Sequence, residues 1–340
     1  MTDSSWELLP ADAPPPVPAA PDELFVSPAW TGMLAACYRW TIRYAVQSAP
    51  RKVVPFVVLD DLAGRRVSAY PFSDYLPLKV DEAVALGEVL RVAFPQHRTV
   101  IKCIGSAADL PHQAGRSVVR QAVAHRYHSA DACPSASFRR GTRKAERAGI
   151  HIRRRHECAA LERFVELYYR QRHQKFSSLP QPLHFFDRLQ AEFVHVGNGF
   201  FHEAVYQDRV IASQVILRQG NGWFYKFGTS DTDGLSLRPN NLLFSRLTQA
   251  VDHGEAAFLD LGLSGNGAAY EGLRRFKSAL GAHSFPLVYL ADIPPGYDTE
   301  QEDALRKLTG RLVGNWTEQS ATPPQAATNA LSRALYPLFA

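Results

Sequence analysis

The chain has 340 residues, 46% hydrophobic and 21% charged, with 38 basic against 33 acidic side chains and a net charge of +5. Such a length buries sizeable cores and reads as two domains, while the composition excludes a fibrous or wholly disordered chain, and no apolar run approaches the roughly 18 residues that span a bilayer. The charge is uneven: FRRGTRKAERAGIHIRRR, from Phe138 to Arg155, alone carries +7 and leaves the remainder at −2, which excludes a generally basic nucleic-acid coat and leaves one concentrated anion-seeking patch.

In chain order, MTDSSWELLPADAPPPVPAAPDE has neither the basic nor the apolar region of a secretory signal, so 1–21 reads as a flexible Pro/Ala-rich lead. ELFVSPAWTGMLAACY predicts a helix; IRYAVQS, KVVPFVVLDD and RRVSAYPFS predict strands; DEAVALGEVLRVAF predicts a helix and TVIKCIG a strand. The basic stretch predicts a helix capped by Ser137 and ended by Gly149. Phe138, Thr142 and Ala145 fall on one narrow side, with Arg139, Arg140, Arg143, Lys144 and Arg147 spread over the other. GIHIRRR alternates as a strand. CAALERFVELYYRQRHQ and QPLHFFDRLQAEFV have helical spacing, the second opened by Pro182. Strands FFHEAVYQ, RVIASQVILRQ and GWFYKFGTS follow, then a helix from Pro239, strand AAFLDLGLS, helix YEGLRRFKSALGA and strand FPLVYLA. Cys37, Cys103, Cys133 and Cys158 lie far apart without ligand spacing, so neither a metal site nor a disulfide framework is expected, and the chain reads as cytoplasmic.

Four stretches can carry chemistry. The basic helix is either a solvated face or an anion site; its like charges repel with almost no acidic partners, which an anion would relieve. LRPNNLL puts Pro239 at a first helical position, with Arg238, Asn240 and Asn241 beside unpaired backbone N–H groups, either as a simple cap or as an anion-binding turn without glycines. In AYEGLRRFKSALGA, Tyr270, Leu273, Phe276 and Leu280 form an apolar stripe into which Lys277 projects, either to snorkel or to face a cleft. Alternation in FLDLGLSGNG puts Leu259, Leu261 and Leu263 on one strand face and Asp260 and Ser264 on the other. YPFSDYLPL places Asp74 and Tyr75 at a strand end, where Asp74 either holds an ammonium group or closes a turn.

The order β-αα-βββ-α-β-α-β in the second half, preceded by a fainter version of itself, resembles the GNAT acyltransferase fold. Taken with SAYPFSDY, SFRRGTRKAERAGI, LYYRQRHQKFSSLPQPLHFF, GTSDTDGLSLRPNNLLF, FLDLGLSGNG and GLRRFKSALGA, it resembles the FemABX-like acyltransferases over Leu24 to Ala291. The resemblance implies an α+β protein of two tandem GNAT-like domains with mainly antiparallel sheets: 22–136, a basic linker helix 137–149, and a catalytic domain 150–295. Independently of the resemblance, the last stretch of the segment 296–340, ALSRALYPLF, is amphipathic enough to fold back on the first domain. The resemblance further implies amide formation by acyl transfer, with aminoacyl-tRNA or acyl-CoA as co-substrate, no tightly bound cofactor, and an amine acceptor such as a peptidoglycan precursor or a small molecule. Phe276 and Lys277 match the family's aromatic–lysine pair at the donor ester. Arg238, Asn240 and Asn241 match its donor-side loop, with Ser264 nearby. Arg139, Arg143 and Lys144 match its basic linker, and Asp74 loosely matches its first-domain aspartate; Arg147 is a further candidate anion contact and Tyr75 a candidate acceptor contact. Asp74 and Asp260 are the candidate proton acceptors. The chain lacks the long helical hairpin of the classical cell-wall enzymes.

Overall fold

The computed structural model describes residues 5–17, 22–48, 51–110, 117–176, 178–319 and 325–340. Its first half runs β1 (Trp6–Leu8), α1 (Pro28–Tyr38), β2 (Arg43–Ser48), β3 (Arg51–Asp61), β4 (Gly64–Ala69), α2 (Val80–Ala93), β5 (Arg98–Ile104) and β6 (Ser117–Tyr127). The second runs α3 (Ala136–Arg147), β7 (His151–Arg155), α4 (Cys158–Phe176), α5 (Leu183–Leu189), β8 (Gly199–Tyr206), β9 (Arg209–Gln219), β10 (Gly222–Ser230), α6 (Pro239–Asp252), β11 (Phe258–Gly265), α7 (Glu271–Ala279) and β12 (His283–Asp292). The tail adds α8 (Glu300–Gln319) and α9 (Gln325–Leu335).

All twelve strands join one sheet in the order β1-β2-β3-β4-β5-β12-β6-β11-β10-β9-β8-β7. Each half is an antiparallel meander followed by one parallel neighbour, β4 beside β5 and β10 beside β11. The centre departs from two separate sheets. β12, the second half's last strand, lies between β5 and β6 of the first, and β6 lies between β12 and β11. The halves therefore exchange their final strands across the 137–149 linker, which leaves neither with an open inner edge. One hydrophobic core follows the exchange: Trp30 of α1 meets Phe185 of α5 at 6.4 Å, and Phe25 meets Phe224 of β10 at 6.1 Å.

Several local expectations change. The lead is not uniformly irregular, because Trp6 is buried in β1 against β2 and donates its Nε1–H to Glu82 O at 3.2 Å. One buried aromatic outweighs the surrounding prolines there; residues 1–4 and 18–21 lie outside the described residues. Ser135, not Ser137, caps α3 by accepting from Phe138 N at 3.1 Å. Strand β6, unpredicted, begins with exposed and half-exposed residues that blur its alternation. The tail meets both halves. Thr328 Oγ1 pairs with His173 Nε2 at 3.1 Å, Asn329 Oδ1 accepts from Leu183 N at 2.8 Å, and Tyr336 packs on Phe72 at 5.1 Å.

Candidate active site

Strands β10 and β11 pair in parallel only as far as Phe224 and Asp260, then part. Both carry bulges at the parting. In β10 the register slips between Tyr225 and Phe227, which re-aims Lys226. In β11 it slips between Asp260 and Leu263, where Gly262 takes φ +66°, a left-handed value that favours glycine. A Cβ at Gly262 would also lie 3.1 Å from Asp74 Oδ2, so the close approach of these two elements needs glycine. The bulge corrects the expected faces. Asp260 stands opposite Arg126 and Leu263 opposite Ala124, so these share one face, and Ser264 turns to the other.

Lys277, on α7, is 3% exposed, and its ammonium donates to Gly262 O and Leu263 O, both at 3.1 Å. An ammonium has three N–H groups, so one is left without an acceptor among the described residues. Burial pulls its pKa down to about 8, against the opposing pull of Asp74 and Asp260. The expected stripe on α7 is rotated: Lys277 and Leu280 are buried, whereas Tyr270 and Leu273 are exposed. The helix is short, and besides Lys277 it reaches the end of β11 through Arg274, which donates to Gly265 O.

The first half supplies the opposite wall. Residues 70–79 leave β4 and run beside β5, with Leu76 N donating to Lys102 O at 3.2 Å and Ile104 N to Leu78 O at 2.8 Å. They therefore fill the gap between β4 and β5. Tyr70 and Phe72 both take φ 56°, a strained value for bulky residues. Two lysines hold the segment there. Lys102 donates to Ser73 O at 2.9 Å and Tyr70 O at 3.4 Å, and its pKa falls to about 8 through burial. Lys226 donates to Phe72 O at 3.1 Å and Asp74 Oδ1 at 3.4 Å, with its ammonium over the Phe25 and Trp30 rings at 4.7 and 5.1 Å.

Asp74 and Asp260 thus have different surroundings. Asp260 is 2% exposed and fully engaged: Gly262 N donates to Oδ1 at 2.8 Å, while the Tyr75 hydroxyl and Arg126 Nη2, the latter at 3.1 Å, donate to Oδ2. Arg126 also donates to the Tyr75 hydroxyl at 2.8 Å. This triad ties Tyr75 of the first half to β11 of the second. Its geometry makes Asp260 and Tyr75 anchors, whereas Asp74 remains partly open, facing one lysine directly.

The residues expected on the donor side form a second group. Phe276 joins Phe138 at 6.0 Å and Phe244 at 5.5 Å, an aromatic cluster linking α3, α6 and α7. Asn240 Nδ2 donates to Ser230 Oγ at 2.9 Å and Asn241 Nδ2 to Phe138 O at 3.4 Å, so both amides are used internally. Arg238 is exposed at φ 63°. Helix α3 crosses directly over this end of α6: a Cβ on Gly141 would fall 2.5 Å from Asn241 Nδ2. Arg139, Arg143, Lys144 and Arg147 are exposed on the outer side of α3. Ser264 is buried, and its hydroxyl has no hydrogen-bond partner among the described residues.

The structure therefore brings Lys277, Asp74, Tyr75 and Asp260 together and sets the basic helix beside the donor-side turn. Sequence reasoning missed Lys226, Lys102 and Arg126. The signal was present in WFYKFGTS, TVIKCIG and AVAHRY, where a long cation interrupts an otherwise apolar strand.

Residues 135–278 match the family model described as an acetyltransferase (GNAT) domain. No curated protein matches the sequence. Among solved structures, the chain is similar to FemX, with 12% identity, 81% of this chain and 93% of that one covered, and a TM-score of 0.57. L-PGS from Bacillus licheniformis has 14% identity, 88% and 99% coverage and a TM-score of 0.53. The C-terminal domain of a putative lysylphosphatidylglycerol synthetase from Agrobacterium fabrum has 11% identity, 86% and 92% coverage and a TM-score of 0.55. The second half of the chain thus carries a GNAT acetyltransferase domain, and the chain as a whole shares the fold of FemX and of L-PGS.

Proposed function

We propose that the protein transfers an aminoacyl group from aminoacyl-tRNA to an amine of a cell-wall precursor or small molecule, forming an amide. The observation that carries this reading is the Lys277 ammonium, held on two bulge carbonyls at the strand opening, with Asp74 across the gap. Its remaining N–H suits the oxyanion that develops when an amine attacks an ester carbonyl. The amine nitrogen forms the new C–N bond, the ester C–O bond breaks, and the amine's proton passes to the departing ribose oxygen. Asp74 holds the incoming ammonium and takes the first proton. Alignment of the two reactants between the halves supplies much of the rate.

The donor assignment draws on the α6 N-terminus. A pyrophosphate would need free N–H groups there, but Pro239 removes one and α3 lies across the turn, its exposed cations offering phosphate contacts instead. The test is a binding titration with aminoacylated tRNA and with acetyl-CoA at two salt concentrations. The expected result is saturable tRNA binding that weakens with salt and is lost when Arg139, Arg143 and Lys144 are replaced by Gln. Binding of acetyl-CoA with no preference for tRNA would overturn the donor assignment.

A further inference from the structure

A second cleft, about 480 Å³ in volume, lies at the far end of the same sheet face, lined by Arg120, Gln121, Gly265, Asn266, Gly267 and Tyr270. Its position follows from register. Along β6, Arg126, Ala124, Ala122 and Arg120 stand opposite Asp260, Leu263, Gly265 and Tyr289 in turn, so the face that carries the Asp260 anchor also carries Arg120. Strand β11 ends where Gly265 meets Ala122. Beyond that point, among the described residues, β6 has β12 on one side and an open edge on the cleft side. An open strand edge offers alternating N–H and C=O groups to a ligand.

The charges there are unbalanced. Arg120 is exposed and stacks over Tyr289 at 5.3 Å, and the Lys102 ammonium approaches the same ring at 5.8 Å. Burial raises the Tyr289 hydroxyl pKa, Arg120 lowers it, and Asp74 and Tyr270 raise it further, so all three lie around that ring. Lys102, Lys226 and Lys277 lie around the carboxylate of Asp74, and Arg120 lies next to Lys102 at the Tyr289 ring, whereas Asp260 is paired with Arg126. A ligand bringing only an ammonium into this field would be repelled by most of it. One bringing an oxyanion as well would be held at both ends.

We propose that the acceptor is a zwitterion, its amine placed at Asp74 and its carboxylate or phosphate bound by Arg120 in the cleft beside Tyr289. This rests on the reading of Asp74 as the amine's partner, and it names the acceptor class that reading leaves open. Arg120 is then a binding residue on the acceptor side, reached from the open edge of β6. The guanidinium fork matches either oxyanion, and the source of the anion is decided by which ligand pair responds.

The experiment is calorimetric titration of the full chain, without any donor, using matched amines. L-lysine is compared with cadaverine, which lacks only the carboxylate, and O-phosphoethanolamine with ethanolamine. The expected result is saturable binding of at least one anionic amine, about tenfold or more tighter than its matched partner, as a charge-assisted contact implies. Arg120→Gln should abolish that difference while leaving the melting temperature unchanged, since Arg120 is exposed; Asp74→Asn should weaken the same ligand. Equal affinities within both pairs, no binding by either anionic amine, or an unchanged difference in Arg120→Gln would overturn the proposal. Because no donor is present, a failure of amide transfer would leave this result standing, and the reverse also holds.

Discussion

The two halves part their sheets at the same topological place and use the parting in opposite ways. Between β4 and β5 the chain fills its own gap with residues 70–79, two of them at positive φ, and Lys102 holds the filling in place. Between β10 and β11 the parting is edged instead by two bulges and by Lys277, with Asp74 of the first half close against Gly262. A duplicated fold can therefore convert one copy's ligand gap into a brace. Here the brace carries Asp74 and Tyr75 across to the other copy, and the exchanged strands β6 and β12 keep the two in fixed register.

The contact that makes the brace useful is the triad of Tyr75, Arg126 and Asp260, and breaking it should have the largest effect. Asp260→Ala leaves the buried end of Arg126 and the Tyr75 hydroxyl without their acceptor. Removing one partner of such a buried pair typically costs about 3–5 kcal/mol, so urea unfolding should show a loss of that order. A loss below about 1 kcal/mol would mean that the lysines alone hold the loop.

The comparison sharpens at the two lysines. Lys277→Met should lower kcat/KM by about 10²–10³, the usual effect of deleting one oxyanion donor. Lys102→Met should lower it less and should act by loosening residues 70–79, seen as faster amide exchange at Leu76 and Ile104. Both lysines have folded pKa values near 8, below the ordinary 10.5. The active ammonium of Lys277 is therefore lost above about pH 8, where the wild-type rate should fall about tenfold per pH unit. Stability should move the other way. Between about pH 8 and 10.5 the unfolded chain holds the more protons at these sites, so the cost of burying each charge is relieved as pH rises, and each Met variant removes its share of that slope.

Much of this was legible in the sequence because period and punctuation are local. The order of elements, the buried side of α3 and the inward aim of Lys277 all follow from spacing within single segments. What spacing does not carry is the two-strand exchange, since register between β6 and β12 depends on side chains about 170 residues apart. Nor does it carry the bulge at Gly262, where one extra residue moves Ser264 off the face of Asp260. Strict alternation is the correct expectation for FLDLGLS until tertiary contact with Asp74 makes the bulge favourable. The α7 stripe failed for a related reason, because a nine-residue helix seated on the bulged strand buries Lys277 and leaves Leu273 exposed.

A smaller effect tests the close crossing of α3 over the start of α6. In an isolated helix, Gly141→Ala would gain about 1 kcal/mol from helix propensity. In this chain the new methyl group would stand 2.5 Å from Asn241 Nδ2, within the α3–α6 crossing. Overpacking of that kind costs about 1–3 kcal/mol, so the variant should be no more stable than the parent and should bind tRNA less tightly through a displaced α3. A clear stabilisation with unchanged tRNA affinity would show that the crossing is loose.

The smallest effect separates stability from anion binding on the same helix. Glu146 is the only acid on α3 and pairs with Arg246 of α6 at 3.1 Å, with both side chains more than 40% exposed. An exposed pair of this kind contributes about 0–1 kcal/mol, so Glu146→Gln should lower the unfolding free energy by no more than that. Removing the acid also raises the net charge of the basic face and releases Arg246 toward it. Affinity for aminoacylated tRNA should therefore rise, with a steeper dependence on salt. The two changes have opposite signs, which a solvated face without an anionic partner would not produce: there Glu146→Gln would reduce stability slightly and leave tRNA binding where it was.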